Sequence, residues 1–149
     1  MTKTRKLSTF FLSTVIASII VPQVALGEKS AQDYFQQART HIQQKELEQA
    51  LEDLNQAINL NSDYTKAYNG RGFIYLKQGK LAKALQDFNQ AIHLNPNYAE
   101  AYYFRGVIYR KQRDRDKAIQ NLEKASTLFQ EQGKTNNYQR VQQLLNKLR

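Results

Sequence analysis

Few side chains that could exchange protons, hold a metal or attack a substrate are arranged to do so. The chain has no cysteine, which excludes a thiol nucleophile, disulfides and cysteine-built zinc sites. His41 and His93 are the two histidines, and without a third imidazole or a thiolate they do not compose a metal set. Glu52 and Asp53 are adjacent, so on a helix their carboxylates diverge instead of pairing for acid–base work. Gly70-Arg71-Gly72 lies inside a helical pattern with no strand before it, unlike a phosphate-cradling loop. The expectation is a protein with no catalytic residue, no metal, no cofactor and no small-molecule substrate. The remaining candidates are aromatic and cationic side chains, chemistry suited to holding another polypeptide.

The elements that must position them repeat. Aligning Gly72 with Gly106 brings a whole block into register at a spacing of 34 residues. Ala67-Tyr68, Arg71-Gly72, Ile74-Tyr75, Lys77-Gln78 and Lys83-Ala84 recur as Ala101-Tyr102, Arg105-Gly106, Ile108-Tyr109, Lys111-Gln112 and Lys117-Ala118. A weaker copy precedes them, with Tyr34, Ala38, His41, Ala50, Leu54, Ala57 and Leu60. The units span 31–64, 65–98 and 99–132. Each reads as two helices. Tyr68, Gly72 and Tyr75 make one stripe, and Leu81, Ala84, Leu85, Phe88, Ala91 and Ile92 make the next. Gly79 supplies the break between them, and Asn95-Pro96 stops the second helix. His41 takes the inter-helix place of Tyr75 and Tyr109 and reads as packing; His93 sits near a helix carboxyl end, which suits a cation. After Gly133, the stripe Tyr138, Val141, Leu144, Leu145, Leu148 predicts a helix over 133–149, with Asn136 or Asn137 as its N-cap, closing the array's last apolar face.

This pattern resembles the tetratricopeptide repeat, whose aromatic, Gly, Tyr, Ala, Phe, Ala and Pro positions are met in the second copy by Tyr68, Gly72, Tyr75, Ala84, Phe88, Ala91 and Pro96. The third copy has Leu122 for Phe and Gln130 for Pro, and the first has Ala38 for Gly, His41 for Tyr and Ser62 for Pro. Arg71 and Arg105 stand where the pattern usually has Leu. The resemblance implies an all-α fold, a right-handed α-α superhelix of three helix pairs plus a C-terminal capping helix. It also implies a concave groove lined by the first helix of each pair. Carried onto this chain, the groove residues are Phe35, Arg39, Lys66, Asn69, Phe73, Tyr103, Phe104 and Arg110. Aromatic rings there would bury partner side chains while the amide and cations orient a backbone or carboxylate. The carboxylate-clamp subclass is not matched, since its places hold Phe35, Arg39, Gly70, Glu100 and Phe104.

The flanks and the charge bound the setting. Residues 1–27 carry Lys3, Arg5 and Lys6, then the uncharged stretch Leu7–Val21, then Ala25-Leu26-Gly27 before Glu28. That is the pattern of a secretory signal peptide. The stretch is short against the roughly 20 apolar residues of a spanning helix. The expectation is export to a periplasm or lumen, or secretion, with an uncleaved membrane anchor as the alternative. Formal charge is +9 overall. The first copy has two bases against six acids, while the second has five against one, and four cations follow Gly133. An acidic head and a basic tail admit head-to-tail pairing at low salt. Lys77, Lys80 and Lys83 at one turn and Arg110, Lys111, Arg113 and Arg115 at the next form a basic edge strip. Two readings follow: an exported adaptor that holds a peptide or helix of a partner protein, or a protein bound to an anionic membrane surface through that strip. Nucleic acid is not an expected partner, because no known aromatic–basic ladder is present.

Overall fold

The computed structural model describes Gly27 and residues 29–149. The segment read as a signal peptide, residues 1–27, lies outside the described residues except for Gly27. Among the described residues there are seven α-helices and no strand: α1 (Ala31–Gln44), α2 (Leu47–Leu60), α3 (Thr65–Lys77), α4 (Leu81–Leu94), α5 (Ala99–Lys111), α6 (Arg115–Glu131) and α7 (Thr135–Leu148). Each helix packs on the one before and the one after, and α3 also touches α5, the connectivity of a helical solenoid.

Local chemistry sets the boundaries. Ser30 opens α1 with a capping box, its side chain accepting from the Asp33 N–H while the Asp33 carboxylate accepts from Ser30 N–H. The Ser30 hydroxyl, which donates to Asp33 Oδ2 at 2.7 Å, and then the Ser30 N–H hold the Asp33 carboxyl below its usual range. At the turn inside each helix pair the backbone enters the left-handed region, with φ of 64° at Lys45, 73° at Gly79 and 63° at Arg113. Glycine meets that demand in the second copy alone; the other two place a long cation there. Leu94 ends α4 before Asn95-Pro96, whereas α6 has Gln130 in the corresponding place and continues to Glu131.

The helix after Gly133 starts earlier than the sequence reading placed it. Neither Asn136 nor Asn137 is its N-cap: α7 begins at Thr135, and Lys134 caps it without a side-chain bond. Gly133 turns the chain at φ 68°, and Lys134 N–H then donates to the Phe129 carbonyl at 2.8 Å, so the turn closes before either asparagine. Asn137 is thereby free to face elsewhere.

Small residues set the helix spacing. Ala50, Ala84 and Ala118, with Ala57, Ala91 and Ala125, are all fully buried, and Leu54, Phe88 and Leu122 fill the space between them. Gly72 and Gly106 mark the closest approaches, since a Cβ at either would sit 2.9 Å from Phe88 Cε1 or Leu122 Cγ. Successive pairs interlock because Ala67 and Ile74 of α3 join the core of the first pair, and Ala101 and Ile108 of α5 join that of the second. In α1 the corresponding residues are Asp33 and Thr40, both exposed. The first copy therefore departs from its neighbours at the positions a preceding pair would cover, and presents a polar end face.

Candidate binding groove

The arginines that break the family's pattern form a polar seam. Arg71 Nε and Nη2 donate to Asp87 Oδ2 and Oδ1 at 2.9 and 2.8 Å, and Nη1 donates to Asn55 Oδ1 at 2.7 Å. One repeat later Arg105 Nε donates to Asn121 Oδ1 at 2.6 Å and Nη1 to Asn89 Oδ1 at 2.8 Å. Each guanidinium thus ties the second helix of its own pair to the second helix of the preceding one. Asp53, Asp87 and Asn121 are buried at equivalent positions. The first pair has no such arginine; there His41 Nδ1 lies 2.8 Å from Asp53 Oδ2. His41 is half-buried between the helices as expected, and its bond to a buried carboxylate is a role that the sequence did not disclose. Asp87 holds the Arg71 guanidinium above its ordinary value through these hydrogen bonds.

With second helices fixed by the seam, first helices present side chains on the other face. Phe73, Leu76 and Lys77 of α3 and Tyr103, Phe104, Val107 and Lys111 of α5 line a groove of about 300 Å³. Phe104 anchors it: its ring lies 5.4 Å from Phe73, 5.1 Å from Tyr103, and stacks at 5.4 Å on the buried Phe88. Lys77 Nζ sits 5.4 Å over the Phe73 ring, a cation–π contact that places a positive charge on the aromatic wall. On the far side of Tyr103 and Phe104 a smaller cavity of about 80 Å³ is closed by Glu100, Phe129, Asn137 and Arg140. Lys134 Nζ bonds Glu100 Oε1 at 2.7 Å, neutralising the acid on that rim.

Of the residues expected in the groove, Phe73, Tyr103 and Phe104 come together. Phe35 packs at 5.2 Å on Tyr64 in the core of the first pair. Arg39 is exposed and donates to Gln36 Oε1 at 3.1 Å. Lys66 and Arg110 are exposed and line neither cavity, and Asn69 lines neither, with a buried Oδ1 lacking a protein partner. Phe129 and Arg140 were not foreseen, because α7 lies outside the repeated motif and Phe129 has Asn95 as its counterpart one repeat earlier. Leu76 and Val107 are half-buried and line the groove.

The basic strip and tail are partly paired within the chain. Arg115 bonds the Leu148 and Arg149 carbonyls, and Arg149 Nη2 lies 2.7 Å from Glu123 Oε1. Hydrogen bonds with Lys117 hold the Asp114 carboxyl below its usual range and raise the Lys117 amine. Among the described residues no group of three His, Cys, Asp or Glu could hold a metal, and no helix is long and apolar enough to cross a membrane.

Such a paired-helix array with a concave aromatic face defines a class of repeat protein, and the comparisons agree with it. Tetratricopeptide repeat models match residues 65–98 and 99–131, and a further TPR repeat model matches 38–79. The chain belongs to the tetratricopeptide repeat family. Similar solved structures include MamA, with 28% identity and a TM-score of 0.65, covering 70% of this chain and 61% of that one. A second is the structure titled as the pHsp70 complex of the yeast Sti1 TPR2B domain, with 19% identity and a TM-score of 0.74, covering 79% and 94%. A third is YrrB, titled as a TPR protein with an unusual peptide-binding site, with 27% identity and a TM-score of 0.62, covering 68% and 53%. The chain thus spans less than two thirds of MamA and of YrrB. No curated protein matches the sequence.

Proposed function

We propose that this chain is a non-catalytic interaction module, an adaptor that holds a peptide or helix of a partner protein along the face of α3 and α5. The observation that carries this reading is the groove lined by Phe73, Tyr103, Phe104 and Val107 with Lys77 and Lys111 at its side. Aromatic walls with flanking cations bury partner side chains and orient a polar backbone without any reacting group. The peptide-binding site named for YrrB, 27% identical to this chain, supports it. The leader pattern of residues 1–27 supports export, which sets the partner in a periplasm or lumen or outside the cell.

A photoreactive residue at position 73, introduced in the native cell, tests the reading. One dominant protein adduct is expected, and it should vanish when Tyr103 is also replaced by Ala, with helix content unchanged by circular dichroism. Truncating a central aromatic anchor costs about 2 kcal/mol or more, a thirtyfold loss of affinity. Lipid adducts alone would instead favour attraction to an anionic membrane surface. That second reading rests on Lys80, Lys83, Arg110 and Arg113, which are exposed and outside any ion pair among the described residues.

A further inference from the structure

The small cavity beyond Tyr103 and Phe104 has a character the groove lacks. Its floor is apolar, from Phe104, Phe129 and Tyr103, and about 80 Å³ admits one side chain and little more. Its rim carries two polar groups from α7, the Asn137 amide and the Arg140 guanidinium. Both residues are exposed, and Arg140 belongs to no ion pair among the described residues. The single acid at the site, Glu100, is already held by Lys134. Net charge on this face is therefore positive, with Lys77 and Lys111 continuing it past the shared aromatic wall.

We infer that α7 is a working half of the binding surface as well as an end cap, and that the cavity takes one aliphatic side chain of an acidic linear segment. This inference rests on the groove reading above and specifies its ligand. Arg140 is a forked donor suited to a carboxylate, and Asn137 presents both a donor and an acceptor to a main-chain amide. A leucine- or methionine-sized group would enter between Phe104 and Phe129, with an Asp or Glu beside it on Arg140. The segment then crosses the Tyr103–Phe104 wall into the larger groove, where Lys77 and Lys111 meet its next acid. Charge complementarity selects the occupant: a basic or neutral segment would leave three cations unmatched.

Selection from a random dodecapeptide library displayed on phage tests this with the full chain as bait. Enriched peptides are expected to carry Asp or Glu next to Leu, Ile or Met. Their binding should fall at least tenfold on Arg140→Glu, with Arg140→Gln intermediate and helix content preserved. Retained acidic peptides whose affinity is unchanged by Arg140→Glu, yet lost on Phe73→Ala/Tyr103→Ala, would overturn the role of α7 while leaving the groove reading intact. Enriched peptides without acidic residues would overturn the ligand class. No enrichment over the Phe73→Ala/Tyr103→Ala protein would overturn both.

Discussion

Removing one guanidinium from the seam tests how the array is held together. Arg71 makes two parallel bonds to Asp87, whose side chain is 5% exposed, and a third to Asn55 in the preceding pair. Arg71→Ala would leave a buried carboxylate with no counter-charge. Stripping one partner from a buried pair costs about 3–5 kcal/mol, and the 21% exposure of the Arg71 side chain lets water soften that toward about 2–4 kcal/mol. Asp87→Asn should cost far less, about 1 kcal/mol, because a neutral acceptor still receives the guanidinium. Nature of the site argues for this directly: Arg105 bonds Asn121 in the third copy, and Asn121 Nδ2 also donates to the Lys117 carbonyl at 2.8 Å. The double variant removes the buried charge along with its partner. It should therefore be more stable than Arg71→Ala alone, by about 1–2 kcal/mol, since the unpaired charge is the larger part of the penalty. Urea unfolding followed by circular dichroism at 222 nm measures all three variants against the parent. A loss below 1 kcal/mol for Arg71→Ala, or no rescue by Asp87→Asn, would refute the claim that charge burial organises the seam.

Two further outcomes concern the core and the pH range. Gly72→Ala and Gly106→Ala should each destabilise by about 1–2 kcal/mol, because overpacking outweighs the helix propensity gained by removing glycine. The first would meet the fully buried Phe88 ring at 2.9 Å, and the second Leu122 at 2.9 Å with the Ala118 carbonyl oxygen at 3.3 Å; a raised Tm in either would contradict the close packing. Burial pushes the Tyr98 phenol up to about 12, aided by Glu100 and Tyr64. Its folded value lies above the unfolded one, so this contribution is complete below pH 10 and is lost as pH rises through 12. Absorbance at 295 nm should show a last-titrating phenol, later than the Tyr64 phenol that burial also raises, and it should disappear in Tyr98→Phe. A parent titration that ends no later than that of Tyr98→Phe would exclude the raised value.

Periodicity made the fold legible. Gly72 with Phe88 and Gly106 with Leu122 are each 16 residues apart and meet face to face, and the alanine positions repeat with the same helix spacing. The seam was hidden although its signal was present. Arg71 stands 16 residues from both Asn55 and Asp87, and Arg105 stands 16 from both Asn89 and Asn121. Read one repeat at a time, the arginines are only departures from a leucine; read across repeats, each has a partner on either side. The groove was legible at Phe73, Tyr103 and Phe104, which follow the repeat register. Phe129, Asn137 and Arg140 were not, because α6 runs past the repeat length and α7 obeys no repeat at all. A period predicts only those contacts that the period itself makes.

One position explains why the aromatic groove and the small cavity lie beside α5, while the interface of the first pair with α3 has neither. Gly70 and Phe104 are equivalent residues, each facing the pair that precedes it. With no side chain at Gly70, a Cβ there would lie 3.2 Å from Leu54 and 3.8 Å from the Phe35 ring, so the first pair closes against α3 and fills that interval. Phe35 is consequently held against Tyr64 in the core. Phe104 occupies the equivalent interval with its own ring, stacking on Phe88 and leaning on Phe73. Neighbouring side chains are then kept at the surface, and a groove stays open on one side of the ring and a cavity on the other. The same step from glycine to phenylalanine separates a repeat interface that is all packing from one that leaves aromatic surface for a partner. Arg71 ties α2 to α4 and Arg105 ties α4 to α6, so the second helices are joined by contacts separate from the ring that Phe104 places between the pairs.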